Sequence, residues 1–365
     1  IQLKKIQCNE ILCNFLNIVI LELLVYLLIF MSDLQQEKRL VLEYFNSINN
    51  ANSKNLINTI TKYTSSNFKM RCTHPFNELN GAEEIGNNLW MPIKNSFTPI
   101  QRRMDIFYAG INSLDNNGSK WVTSMGHLMG VFNKSFFGIQ PNYKSVLLRY
   151  AEFYKVENNK ITEGAIFLDI MNFMQQLGLS VIPESTGLVC ITPGPMNHRG
   201  LKYKLSDDAE SQKTLDLIHR MRDRLVKGSK MKSYKDELTL DWHDDMIWWG
   251  PGGIGASYTI DGYVKGHTKP FQDGLEFIRF NGHVLSSAED DLGGWFGWPN
   301  LVMKPKGGYL GLTTTSDIES EMRVVDLYRR DGDKLAENWI FIDHLHFLKL
   351  LGVDLLEKNK QLSNI

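Results

Sequence analysis

Apolar positions recur at helical spacing where two similar stretches begin. In "DLQQEKRLVLEYFNSINNA", Leu40, Val41, Tyr44 and Phe45 form one stripe; in "DDAESQKTLDLIHRMRDRLV", Leu215, Ile218, Met221 and Leu225 form another. Each predicts an amphipathic helix, and a second short helix follows in each case. A strand running into proline comes next, "NFKMRCTHP" or "LDWHDDMIWWGP". A further helix follows, "GAEEIGNNLWMPIKNSF" or "IDGYVKGHTKPFQDGL", then several strands rich in β-branched and aromatic residues, then a short helix. "YKSVLLRYAEFYKVENNKITEGAIFLD" reads as a hairpin turning at "ENNK", and the matching turn is "DGDK". Helices followed by a run of antiparallel strands predict an α+β fold.

The pattern occurs twice. Residues 149–178 align without a gap on 323–352 at an offset of 174, with ten of thirty positions identical: Arg149, Tyr154, Lys160, Glu163, Ile166, Phe167, Asp169, Phe173, Leu177 and Gly178. Others keep their character, such as Glu152 with Asp326. That period is far longer than a solenoid repeat, so the sequence predicts a tandem pair of domains. The expected boundaries are 34–180 and 207–360, with a proline- and glycine-bearing linker at 181–206.

The first thirty residues are different. "ILCNFLNIVILELLVYLLIF" is mostly apolar but is interrupted by Asn14, Asn17 and Glu22, and no small-residue cleavage site follows. Residues 1–30 read either as an extension upstream of an ordinary start at Met31 or as a targeting segment. A cytoplasmic location is expected unless that segment is a signal or anchor.

Composition narrows the function. With 43% hydrophobic and 22% charged residues the chain is globular, and a formal net charge of −1 without a long basic run argues against a general nucleic-acid binder. Four cysteines without a CxxC supply no disulfide framework.

The repeated aspartates, Asp169 and Asp343, stand where the last strand meets the last helix, and Gly178 and Gly352 close those helices. The residues alone allow a plain reading, a helix N-cap worth about 1 kcal/mol. They equally allow an acid/base role, since a carboxyl desolvated in an apolar pocket holds or releases a proton near neutrality.

The stretch "GHLMGVF…GIQPNYKSVLLRYAEFYKVENNKITEGAIFLDIMNFMQQLG" resembles the signature of the SnoaL-like polyketide cyclases, in the nuclear transport factor 2-like superfamily. The matching elements are His127, Gly130, Gly138, Pro141, Lys160, Ile161, Glu163, Asp169, Gln176, Leu177 and Gly178. "WWGPGGIGASYTIDGYVKGHTKPFQDGL" resembles an earlier segment of that family. The resemblance spans most of 34–178 and 207–352. It implies two tandem cone-shaped α+β barrels, each a curved antiparallel sheet wrapped around helices and enclosing an apolar pocket. It also implies an aspartate, at the position of Asp169 or Asp343, serving as acid and base for an intramolecular aldol closure, with no cofactor and no metal.

The two copies differ around that aspartate. His127, placed to meet a substrate oxygen in the first, has no histidine counterpart; the second offers His243 and Asp245 on one strand face. The expected acid/base sets are therefore Asp169 with His127, and Asp343 with His243. Trp90, Asp245, Trp249, His267, Trp295 and Trp339 are candidates to hold a substrate, the indoles by stacking on a planar ligand. "GPGGIG" at 250–255 formally matches a dinucleotide fingerprint, but no helix follows it directly, and a loop at the cone mouth is expected instead. His344 and His346, two apart on a helix, point apart, and His243, Asp245 and His267 match no zinc spacing.

Three functions fit: a cofactor-independent cyclase, isomerase or lyase acting on a small apolar carbonyl compound; a non-catalytic binder of small hydrophobic ligands; or an interaction module. Pairing of the two domains within one chain, or a homo-oligomer, is expected.

Overall fold

The computed structural model describes residues 34–179, 182–183, 185–227, 233–313 and 315–363. The apolar segment at 1–30 lies outside them.

Two helices come first, α1 (Gln35–Asn50) and α2 (Leu56–Tyr63), and α1 buries Leu40, Val41, Tyr44, Phe45 and Ile48. Strands β1 (Thr64–Cys72) and β2 (Asn77–Asn80) follow, then α3 (Gly81–Ile85) and α4 (Met91–Ser96), joined by a π-helical turn at Gly86–Trp90. Long strands β3 (Phe97–Ile111), β4 (Lys120–Phe132), β5 (Ser145–Glu157) and β6 (Lys160–Leu168) lead to α5 (Ile170–Gln176). A second run of helices and strands follows. Helices α6 (Asp208–Lys227) and α7 (Tyr234–Leu238) precede β7 (Trp242–Trp249), β8 (Ser257–Tyr258), α8 (Thr259–Tyr263) and α9 (Lys269–Gly274), again with a π turn between the last two. After them come β9 (Leu275–Phe280), β10 (Leu285–Glu289), β11 (Leu292–Phe296), β12 (Leu301–Pro305), β13 (Ser320–Met322), β14 (Val324–Asp331), β15 (Lys334–Ile342), α10 (His344–Leu350) and α11 (Leu355–Ser363).

The first sheet has the order β2-β1-β6-β5-β4-β3, the second β10-β11-β14-β15-β7-β8. Read from opposite ends these are one order. Strand neighbours pair antiparallel as expected except at two places: β1 lies parallel to β6, and β7 parallel to β15. Each helix-flanked first strand returns beside the last one, a pairing that hairpins cannot make. The hairpin turn falls as expected, with Asn158 and Asn159 at φ 50° and 57°, and Gly332 takes the left-handed place in the later hairpin between β14 and β15.

The sheets differ in continuity. In the first, β3 and β4 are single strands of 15 and 13 residues, paired along their length with two bulges in β3. In the second, the same course is cut. Strands β9 and β12 leave with β13 to form a separate three-stranded sheet, and β10 and β11 remain in the main one.

The two six-stranded sheets pack face to face. Ile106, Trp121, Ala151, Phe153 and Phe167 from one meet Leu285, Phe296, Val325, Leu327 and Trp339 from the other in one apolar core. Their opposite faces carry the helices. A strand such as β14 is therefore buried on both sides along nearly its whole length. From Gln35 onward the described chain is one compact unit. The linker is packed rather than free: Gly200 O accepts the Phe107 N–H at 2.9 Å, and Pro193 O accepts the Trp339 indole N–H at 2.9 Å. Among the described residues no helix is long and apolar enough to cross a membrane.

Candidate functional site

Both repeated aspartates are N-caps. Asp169 Oδ1 accepts the Asn172 N–H at 2.9 Å, and Asp343 Oδ1 accepts that of His346 at 3.2 Å. Each also reaches into the other half. Asp169 accepts the Gly252 N–H (3.0 Å to Oδ2), while Asp343 Oδ2 accepts the His74 N–H at 3.0 Å. An arginine one strand away completes each group, with Arg149 at 3.5 Å from Asp169 and Arg323 at 3.3 Å from Asp343. The arrangement is crossed: each carboxylate holds its own last helix and the proline loop of the opposite half. Gly252 is required there, because a Cβ would lie 2.2 Å from the Asn172 nitrogen. Burial drives the Asp343 carboxyl up to about 6, against the pull of the His74 N–H and Arg323, and pushes Arg149 down to about 10 against Asp169.

The expected acid/base pairs do not form. His127 stands across β4 and β5 from Arg149, whose carbonyl accepts the Asp169 N–H, so Arg149 lies between histidine and aspartate. His127 Nδ1 faces Asp105 at 3.2 Å instead. His243 is further still from Asp343. β7 runs parallel to β15 with Trp242 beside Leu335, which leaves His243 at the far end of the strand, against the Asp331 carbonyl at 2.9 Å. Asp245 is solvent-exposed. Trp339 belongs to the core between the sheets and Trp249 packs against it. The "GPGGIG" loop is not at a mouth; Arg149 donates to the Trp249 and Gly250 carbonyls, which pins it between the halves.

The helix-facing side of each sheet carries a different acid, which the aspartate-centred reading passed over. In the first half it is Glu152, fully buried, with Arg102 Nη1 at 2.9 Å. The Arg102 guanidinium lies 4.0 Å over the Phe45 ring and 4.7 Å over that of Tyr150, with Trp90 beyond. Burial pushes Glu152 up and Arg102 draws it back toward its charged form. Trp90, a candidate for ligand stacking, thus faces an arginine of its own chain.

The second-half counterpart is Asp326, and among the described residues no cation pairs with it. Asn338 Nδ2 donates to its Oδ1 at 2.9 Å and Tyr328 bonds it from the same strand. Where β3 carries Arg102 across from Leu128, β9 carries Phe280 across from Leu301. Burial lifts the Asp326 carboxyl to about 8. Near its face of β14 lies a cavity of about 430 Å³, within the usual range of small-molecule sites, about 300–1,000 Å³, whose wall Asp326 itself does not form. Its lining includes Tyr263, His267, Phe280, His283, Trp295 and Val324. Val324 shares the Asp326 face of β14 two residues earlier, and Trp295 stands directly across from Asp326. Two proposed ligand-holding residues, His267 and Trp295, are therefore brought together here. His267 stacks on Trp248 (4.2 Å between centroids) and His283 on Trp295 (4.1 Å); burial lowers both imidazoles to about 3, so both are neutral at pH 7.

A family model described as SnoaL-like polyketide cyclase matches residues 109–177. No curated protein matches the chain. Among solved structures, IdmH of Streptomyces antibioticus, a polyketide-cyclase candidate, is 11% identical over 39% of this chain and 97% of its own, with a TM-score of 0.32. An NTF2-like protein from Burkholderia xenovorans LB400 is 14% identical over 39% and 97%, TM-score 0.31. Another from Anabaena variabilis ATCC 29413 is 13% identical over 38% and 93%, TM-score 0.27.

Proposed function

We propose that the chain carries two copies of a SnoaL-like fold and works as a cofactor-independent acid/base enzyme of the cyclase or isomerase class, with its reaction site in the second copy. The observation that carries this reading is the buried Asp326 carboxyl, next to Val324 and Trp295 of the aromatic cavity's wall and, among the described residues, without a cation at hydrogen-bonding distance. A small carbonyl compound with a flat apolar body matches the lining. The Asp326 carboxylate takes a proton from the carbon next to the carbonyl, leaving an enolate. The enolate carbon attacks a second carbonyl of the same molecule, and Asp326 returns that proton to the new alkoxide. A carboxyl titrating near 8 serves both steps. Asp169 and Asp343 hold the halves together in this reading and touch no substrate.

The test uses 1-tetralone, a bicyclic aryl ketone. Its α-protons should exchange with deuterium faster in the presence of the protein, with a rate that rises with pH to a plateau above about 8, where Asp326 is ionised. Asp326→Asn should slow exchange by about 100-fold or more. Equal exchange by both proteins removes Asp326 from the chemistry. Binding of 1-tetralone without exchange supports the second reading, a small-molecule binding protein; what favours that alternative is that Asn338 and Tyr328 already bond Asp326.

A further inference from the structure

The cut between β9 and β10 places His283 in the cavity wall, and its neighbours settle where its proton sits. Asn300 Oδ1 accepts the Val324 N–H at 2.7 Å, which fixes the orientation of that side-chain amide, because a backbone N–H requires an oxygen. Asn300 Nδ2 is then the atom that meets His283 Nδ1, at 3.0 Å. An amide nitrogen can only donate, so Nδ1 is the acceptor and the neutral ring carries its hydrogen on Nε2. That Nε2 is buried and has no hydrogen-bond partner among the described residues. The ring cannot turn to find one at low cost. It is stacked on Trp295 with 19° between planes and closed edge-on by Phe280 at 5.0 Å. A buried N–H left without an acceptor is costly, and an incoming oxygen relieves that cost.

We infer that His283 is a fixed hydrogen-bond donor that selects ligands bearing an acceptor oxygen, a ketone or enolate oxygen above all, and orients that oxygen over Trp295, the residue directly across the sheet from Asp326. The inference rests on the cavity being the ligand site and names what the ligand must present. In the proposed reaction the same N–H bonds the oxygen that gains charge as the enolate forms. Asn300 acts through His283: it is a positioning residue that holds the donor tautomer.

Two probes of nearly equal shape, 1-tetralone and tetralin, differ in the carbonyl alone. Calorimetric titration of the full chain at pH 7 should give tighter binding of 1-tetralone. His283→Phe, which keeps the stack on Trp295, should weaken 1-tetralone by about tenfold or more and leave tetralin within about twofold. His283→Gln, which retains a donor, should recover most of the loss. Nitrogen-15 spectra of histidine-labelled wild-type protein supply a readout that needs no stable variant at the site: His283 should be the Nε2–H tautomer, and its Nε2 signal should move with 1-tetralone and stay with tetralin. If the two probes bind wild type equally, or His283 carries its proton on Nδ1, the inference falls and the cavity remains a ligand site. If neither probe binds, the cavity reading fails and the inference with it.

Discussion

In the first half β3 passes unbroken through Arg102, which fills the interior beside Glu152. In the second half the matching course stops at Phe280 and resumes at Leu285, the arginine is replaced by an apolar ring, and a cavity stands beside Asp326. One strand order thus supports two interiors, one holding an internal ion pair and the other flanked by a cavity. The half that matches the family model is the one with the ion pair, and much of the matched stretch serves the fold. Glu163 pairs with Arg71 and Lys155, Gln176 bonds both backbone groups of Leu147, and Asp169 caps α5. Motif residues there hold sheet, last helix and partner half together, whereas the proposed chemistry rests on Asp326, outside the residues matched by the family model.

Breaking the ion pair of the first half should have the largest effect. Arg102→Ala strands Glu152 without its cation and is expected to cost about 3–5 kcal/mol in urea unfolding. Arg102→Met combined with Glu152→Leu should recover most of that, because removing both charges leaves nothing orphaned. A single variant as stable as wild type would show that Arg102 does not hold that interior together.

The crossed clamp comes next. Asp169→Ala and Asp343→Ala should each cost about 1–3 kcal/mol, above a cap alone, because an N–H from the opposite half is lost too. Asp169→Asn, which keeps a cap acceptor, should cost less than the alanine change. Losses no larger than a cap in both alanine variants would mean that the cross-half bonds contribute nothing.

A smaller effect separates the two buried acids by pH. Folded Asp326 holds its proton up to about 8, whereas an ordinary aspartate lets go near 3.8. Its contribution to stability is therefore complete below about pH 4 and is lost as pH rises to 8. Asp326→Asn should gain on wild type over that interval, followed by melting temperature. Asp343, raised to about 6, has the same sign over a narrower window that closes by pH 6. A difference between wild type and Asp326→Asn that does not change with pH would place the Asp326 carboxyl in ordinary solvent.

The smallest effect belongs to His243→Ala, expected within about 0.5 kcal/mol of wild type and without influence on 1-tetralone binding. A large loss of binding would restore His243 to the site.

The repeated helices, the hairpin turns and the final capped helix were legible because each has a local cause: helical spacing, left-handed Asn or Gly, and an aspartate before an apolar run. The site was less so. Asp326 stands in a strand buried on both faces, so no alternation marks which way it points. Its alignment with Glu152 was visible, and an acid kept at one place in an apolar strand was the available signal. Arg102 and Phe280, which distinguish the two interiors, lie outside the ungapped repeat. The cap and base roles of Asp169 and Asp343 call for the same residue at the same junction, and only the positions of Gly252 and His74 separate them. His283 lies in the interruption of a strand, where periodicity carries no information.

The crossed clamp has a consequence for how the molecule can be divided. Parting the halves would strip each carboxylate of the loop N–H it takes from the other half and leave that amide without its acceptor, while the aspartate's own helix cap and arginine stayed behind. Neither half is a finished body. The long strands of the first sheet cover one face of the second through the shared core, and it is the second whose outer strands are split between two sheets.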